Sequence, residues 1–143
     1  MPFLSRGPRV PHYHGDGVRV CFIATAILSV VVIPIWGEVL PFGLFAEVGS
    51  IILLVFLAGL TNPHSKLILG ADVLVAGVGA FLLEIAAVSF YSQQSFVLFA
   101  AREMGVVFLL FALYHGVKTI RAMFLGQIGH IPSRNEFDTL HKL

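Results

Sequence analysis

Five ionisable residues stand inside otherwise apolar stretches of this 143-residue sequence: Glu47, Asp72, Glu84 and the adjacent pair Arg102 and Glu103. An ionisable group set in hydrocarbon costs roughly 2.5–3.5 kcal/mol on insertion scales, so such groups pair, face a wet cavity or carry a proton or cation. If Arg102 pairs with one glutamate, expected to be Glu84, two glutamates remain without a cationic partner in a medium of low dielectric. Such a carboxyl is suited to holding a proton or a cation. The opposing expectation is structural: Glu84 and Arg102 lock helices together while Glu47 and Glu103 reach headgroups or water. Asp72 is expected to pair separately with His115 and Lys118.

Other chemistry is weakly signalled. His12-Tyr13-His14-Gly15-Asp16 gathers imidazoles and a carboxylate, which are metal-ligand types. No second cluster supplies the remaining ligands, so the segment reads as a polar turn, and neither a metal nor a cofactor is expected. Cys21 is the single cysteine, which excludes an internal disulfide and any paired-cysteine motif. Phosphate-loop, dinucleotide-binding, Gly-x-Ser-x-Gly and His-Glu-x-x-His patterns are all missing, so no enzymatic activity is expected.

The elements that must position these residues follow from composition. The chain is 57% hydrophobic and 12% charged, with a mean hydropathy of +0.91. Soluble domains are about half apolar and one quarter charged, so a free-standing soluble protein is excluded. A net charge of +1 excludes a strongly basic nucleic-acid binder. A bilayer core of about 30 Å takes about 20 apolar residues in a helix. Four segments qualify, at about 18–36, 40–61, 67–91 and 95–117, with the last helix extending to about 125. Gly37-Glu38 with Pro41, Asn62-Pro63-His64-Ser65 and Tyr91 to Gln94 supply the turns. The expected fold is therefore an all-α membrane protein: an antiparallel bundle of four transmembrane helices with short loops. Residues 1–17 read as an irregular cytoplasmic segment. Residues 126–143 read as a cytoplasmic tail, in which the Ser133 to Glu136 capping box opens a short amphipathic helix over about 134–143.

Basic residues orient the bundle, because short cytoplasmic flanks collect Lys and Arg. Arg6, Arg9, Arg19, Lys66, Lys118, Arg121, Arg134 and Lys142 all fall on one side, which places both termini in the cytoplasm. Counted from the opposite side, Glu47, Glu84 and Arg102 each lie seven residues into their spans, about 10 Å deep. Ser29 falls at the same level and Glu103 one residue deeper, so the spans place a polar layer at one depth. Gly70, Gly77, Ala80 and Ala87 share a helix stripe with Glu84, and small residues let membrane helices approach closely. The functional expectation is a non-catalytic membrane protein, a scaffold or accessory subunit acting through helix and lipid contacts. Its partners are the lipid bilayer and a second copy or another membrane protein, with no nucleic acid. The alternative is a small oligomeric transporter or channel in which the Glu/Arg layer handles a proton, cation or charged solute.

Overall fold

In hydrocarbon every backbone N–H and C=O must find its partner within the chain, and an apolar segment does so most simply as a helix. The computed structural model describes residues 13–36, 39–40, 42–62 and 65–126, and the regular elements among them are four α-helices. These are α1 (Gly15–Trp36), α2 (Leu44–Leu60), α3 (Lys66–Ser89) and α4 (Phe96–Phe124). Three of them, α1, α3 and α4, are long and apolar enough to cross a membrane, while α2 is apolar but has 17 residues. The segment preceding Tyr13 and the helix expected at 134–143 lie outside the described residues.

Local chemistry sets the helix boundaries. Gly43 takes a backbone φ of 90°, which side-chain-bearing residues rarely adopt, and turns the chain into α2 at Leu44. Helix α2 therefore starts four residues later than hydropathy alone places it. Ser65 and Ser95 cap the next two helices, their hydroxyls accepting from the amides of Ile68 at 3.4 Å and Leu98 at 3.2 Å. Helix α4 runs on to Phe124 and stops beside Gly126, which has φ 65°.

Helix α4 packs along both α1 and α3, and α2 lies against α1, but α2 and α3 barely touch. Close approach depends on missing side chains. A methyl group at Gly105 would meet Leu83 at 2.8 Å, and one at Gly116 would meet Val73 at 2.7 Å. The interior is built largely of small residues, Ala26, Ala76, Ala80, Ala101 and Ala112, around Phe22, Leu83 and Leu109. Large apolar side chains point the other way: Val20, Ile27, Phe56, Leu74, Phe81 and Phe111 are each more than half exposed. An exterior this apolar exceeds the patches that water-exposed proteins tolerate.

Three contacts bring the start of α1, the end of α2, the start of α3 and the end of α4 to one end of the molecule. The His14 amide donates to Thr119 Oγ1 at 3.1 Å, the Arg19 guanidinium donates to the Thr61 carbonyl, and Lys66 Nζ lies 5.1 Å from the centre of the Phe124 ring.

Candidate functional site

At the opposite end, Arg102 near the start of α4 and Glu47 in the first turn of α2 are both buried, 4% and 0% exposed. Arg102 Nε donates to the Val39 carbonyl at 2.7 Å and Nη1 to the Ala86 carbonyl at 3.2 Å. The same Nη1 donates to Gln94 Oε1, and Gln94 Nε2 in turn donates to the Ala87 carbonyl at 2.8 Å. One guanidinium thus ties the approach to α2, the last turns of α3 and the connection from α3 to α4. Charge-assisted bonds of this kind contribute about 1.5–3 kcal/mol each. Glu47 Oε2 accepts from the Leu40 amide at 2.7 Å, and its charge lies within electrostatic reach of Arg102. Its other oxygen, Oε1, is buried and has no hydrogen-bond partner among the described residues.

The remaining members of the expected layer separate. Ser29 is buried and lines the same cavity as Glu47. Glu84, expected to pair with Arg102, is exposed and Glu103 is half-buried, and neither makes a hydrogen bond or ion pair among the described residues. The reason is angular. The buried line of α3 passes through Ala76, Ala80, Leu83 and Ala87, and a rotation of about 100° per residue carries Glu84 off that line. Much of the small-residue stripe is used inside the chain: Ala80 and Ala87 are buried, and Gly77 faces Leu113 of α4. Gly70 has open space where a Cβ would stand.

The expected pairing of Asp72 with His115 and Lys118 is also corrected. Asp72 is fully buried, and its Oδ2 lies 3.0 Å from the Thr61 hydroxyl at the end of α2. That hydroxyl has one proton to divide between Asp72 and the Leu57 carbonyl, 2.8 Å away. Arg19, bonded to the Thr61 carbonyl and 3.6 Å from Asp16 Oδ1, supplies the positive charge that acts on Asp72. Asp72 Oδ1, Arg19 Nε and the Tyr13 hydroxyl are buried without partners among the described residues, and burial pushes the Tyr13 phenol above its usual value. His115 donates from Nδ1 to the Phe111 carbonyl at 2.7 Å and meets His14 edge-on at 6.0 Å, while Lys118 Nζ lies 6.0 Å from the Tyr114 ring centre. Lys118 thus faces α4's own exposed surface. No three His, Cys, Asp or Glu side chains gather as a metal site among the described residues.

Where α2 and α3 part, a cavity of about 330 Å³ opens beside Glu47. Thr25, Ser29, Glu47 and Ser50 form its polar part; Leu53, Leu74, Val75 and Val78 are among its apolar walls. Leu53, Leu74 and Val78 are 43%, 64% and 50% exposed, so the cavity opens sideways through the outer surface. The sequence does not mark Thr61, Gln94 or this cavity as site elements, and it marks Arg19 only as an orienting basic residue. A shared depth in the second turns of α1 and α3 is the signal that joins Arg19 to Asp72.

Comparison with protein-family models, with curated proteins and with solved structures finds no match for this chain.

Proposed function

We propose that this chain is a multi-pass integral membrane protein without catalytic activity, acting as a scaffold or accessory subunit through helix and lipid contacts. Its four helices cross in antiparallel order, with both termini cytoplasmic. The contacts that gather the start of α1 with the end of α4 support this arrangement, as does the collection of Arg19, Lys66, Lys118 and Arg121 near that end.

The observation that carries the reading is Glu84. It stands exposed on α3 beside Phe81, Ile85 and Val88, themselves exposed, and makes no hydrogen bond or ion pair among the described residues. A carboxyl facing hydrocarbon is costly, and a cation or hydrogen-bond donor on a neighbouring membrane helix offsets that cost. Arg102, the base of the outer layer, is engaged by Val39, Ala86 and Gln94, which favours a structural tie over a moving charge.

Native electrophoresis after mild solubilisation tests the reading. The wild-type chain should run in an assembly larger than its 15.5 kDa, and Glu84→Leu should release a folded free chain. Identical migration of both as the free chain would sink the proposal. Co-purification of differently tagged copies separates a homodimer from a complex with another protein.

A second reading, the small oligomeric transporter or channel, is favoured by the unpartnered Glu47 Oε1 beside a cavity. It requires pH- or cation-dependent flux in proteoliposomes of the purified chain, abolished by Glu47→Gln.

A further inference from the structure

The cavity between α2 and α3 has an uneven chemistry that specifies an occupant. Its walls are mainly leucine and valine, and it lies between two helices that barely touch, with exposed Leu53, Leu74 and Val78 along its side. At about 330 Å³ it stands at the small end of ligand pockets, which run from roughly 300 to 1,000 Å³. Of the three hydroxyls that line it, on Thr25, Ser29 and Ser50, two have already committed their protons. The Ser50 hydroxyl donates to the Glu47 carbonyl at 2.7 Å, and the Thr25 hydroxyl donates to the Cys21 carbonyl at 2.9 Å. Both therefore face the cavity with acceptor capacity. Glu47, fully buried, adds the acceptor Oε1 that nothing among the described residues satisfies. A buried acceptor left without a donor is costly, and more so when charged.

An occupant must thus bring an apolar body and a donating head. The nearby Arg102 charge decides between the two kinds of donor. Because the guanidinium already acts electrostatically on Glu47, a second cation at the same carboxylate would be repelled, and a neutral hydroxyl would not.

We infer that the α2–α3 cavity is a binding site for a single-chain, hydroxyl-headed amphiphile drawn from the bilayer, its hydroxyl donating to Glu47 Oε1 and its chain lying between Leu53, Leu74 and Val78. The site does not depend on the accessory-subunit reading, since Glu84 takes no part in it.

Photolabelling of the full chain in lipid nanodiscs tests this, with a long-chain primary alcohol carrying a diazirine beside the hydroxyl. Adducts should concentrate on the α2 and α3 residues that line the cavity. Unlabelled alcohol should compete at least tenfold better than the alkane of equal length. Glu47→Gln keeps an acceptor for the Leu40 amide but replaces the charged acceptor, and should weaken labelling about tenfold, the difference between a charge-assisted and a neutral hydrogen bond. Val78→Trp substitutes a half-exposed rim residue, so it should block the mouth, abolish cavity labelling and leave thermal unfolding unchanged. That variant keeps the test alive should the Glu47 variant fail to fold. Labelling spread evenly over all four helices, equal competition by the alkane, wild-type labelling of Val78→Trp, or stronger competition by the matching alkylammonium would each overturn the inference.

Discussion

A buried arginine that donates to backbone carbonyls is hard to replace, because no compensating side-chain substitution can follow a carbonyl. Removing Arg102 would leave the Val39 and Ala86 carbonyls without their donor and deprive buried Glu47 of its nearby positive charge. Deleting one partner from a buried charge network costs about 3–5 kcal/mol. Arg102→Met should therefore lower stability by about that amount in chemical unfolding from detergent micelles. Arg102→Lys should recover only part of it, because one ammonium cannot reproduce the guanidinium's fork; equal stability of both variants and wild type would refute the tie. The same residue explains a limit on reading the site from sequence. Glu47, Asp72 and Arg102 are recognisable as costly wherever they stand in an apolar run, but side-chain types alone suggest pairing acid with base. Here Arg102 donates, among the described residues, to two carbonyls and a loop glutamine, and Asp72 lies against the Thr61 hydroxyl with Arg19 near. Backbone acceptors look alike in every sequence, so nothing in the residue types announces them.

Between elements, glycine decides how closely α4 can lie on α3. Gly116→Ala gains up to about 1 kcal/mol in helix propensity, but the new methyl would stand 2.7 Å from Val73 Cγ2. Valine in a helix is held in one rotamer, so the helices and not the side chain must yield, at a cost of about 1–3 kcal/mol. The substitution should be destabilising on balance. Val73→Ala in the same chain should remove most of the penalty, giving a favourable coupling in a double-mutant cycle of thermal unfolding; simple additivity would place the contact elsewhere. Helix existence was legible because a long apolar run has few other ways to satisfy its backbone. The start of α2 was not, since it depends on the backbone conformation of Gly43. Nor was the neighbour of each helix, because α1, α3 and α4 all carry small residues and their hydropathy does not distinguish partners.

For the molecule as a whole, the proposed topology makes a directional claim. In a Cys21→Ala background, a cysteine at Ser92 in the α3–α4 connection should react with a membrane-impermeant maleimide on intact cells. One at Lys118 should react only after permeabilisation. The reverse order would invert the bundle, and reaction of both from outside would place these two positions on one side. The all-helical character and the apolar exterior could be read from composition, since twelve percent charge cannot cover a water-facing surface. The cavity could not, because it arises where α2 leans on α1 and leaves α3 uncovered, a relation among three helices that no single segment records.

The 17 residues of α2 span roughly 25 Å, against a hydrocarbon thickness of about 30 Å. Its neighbours match or exceed that thickness, so the shortfall falls on one flank of the bundle. Hydrophobic mismatch of this kind is relieved by thinning the lipid locally, at a fraction of a kcal/mol for each ångström. The bilayer beside α2 would be pinched, and the same flank contains the mouth of the cavity. A thinner membrane would relieve that deformation and a thicker one would enlarge it, so bilayer thickness acts directly on the lipid at the cavity's entrance.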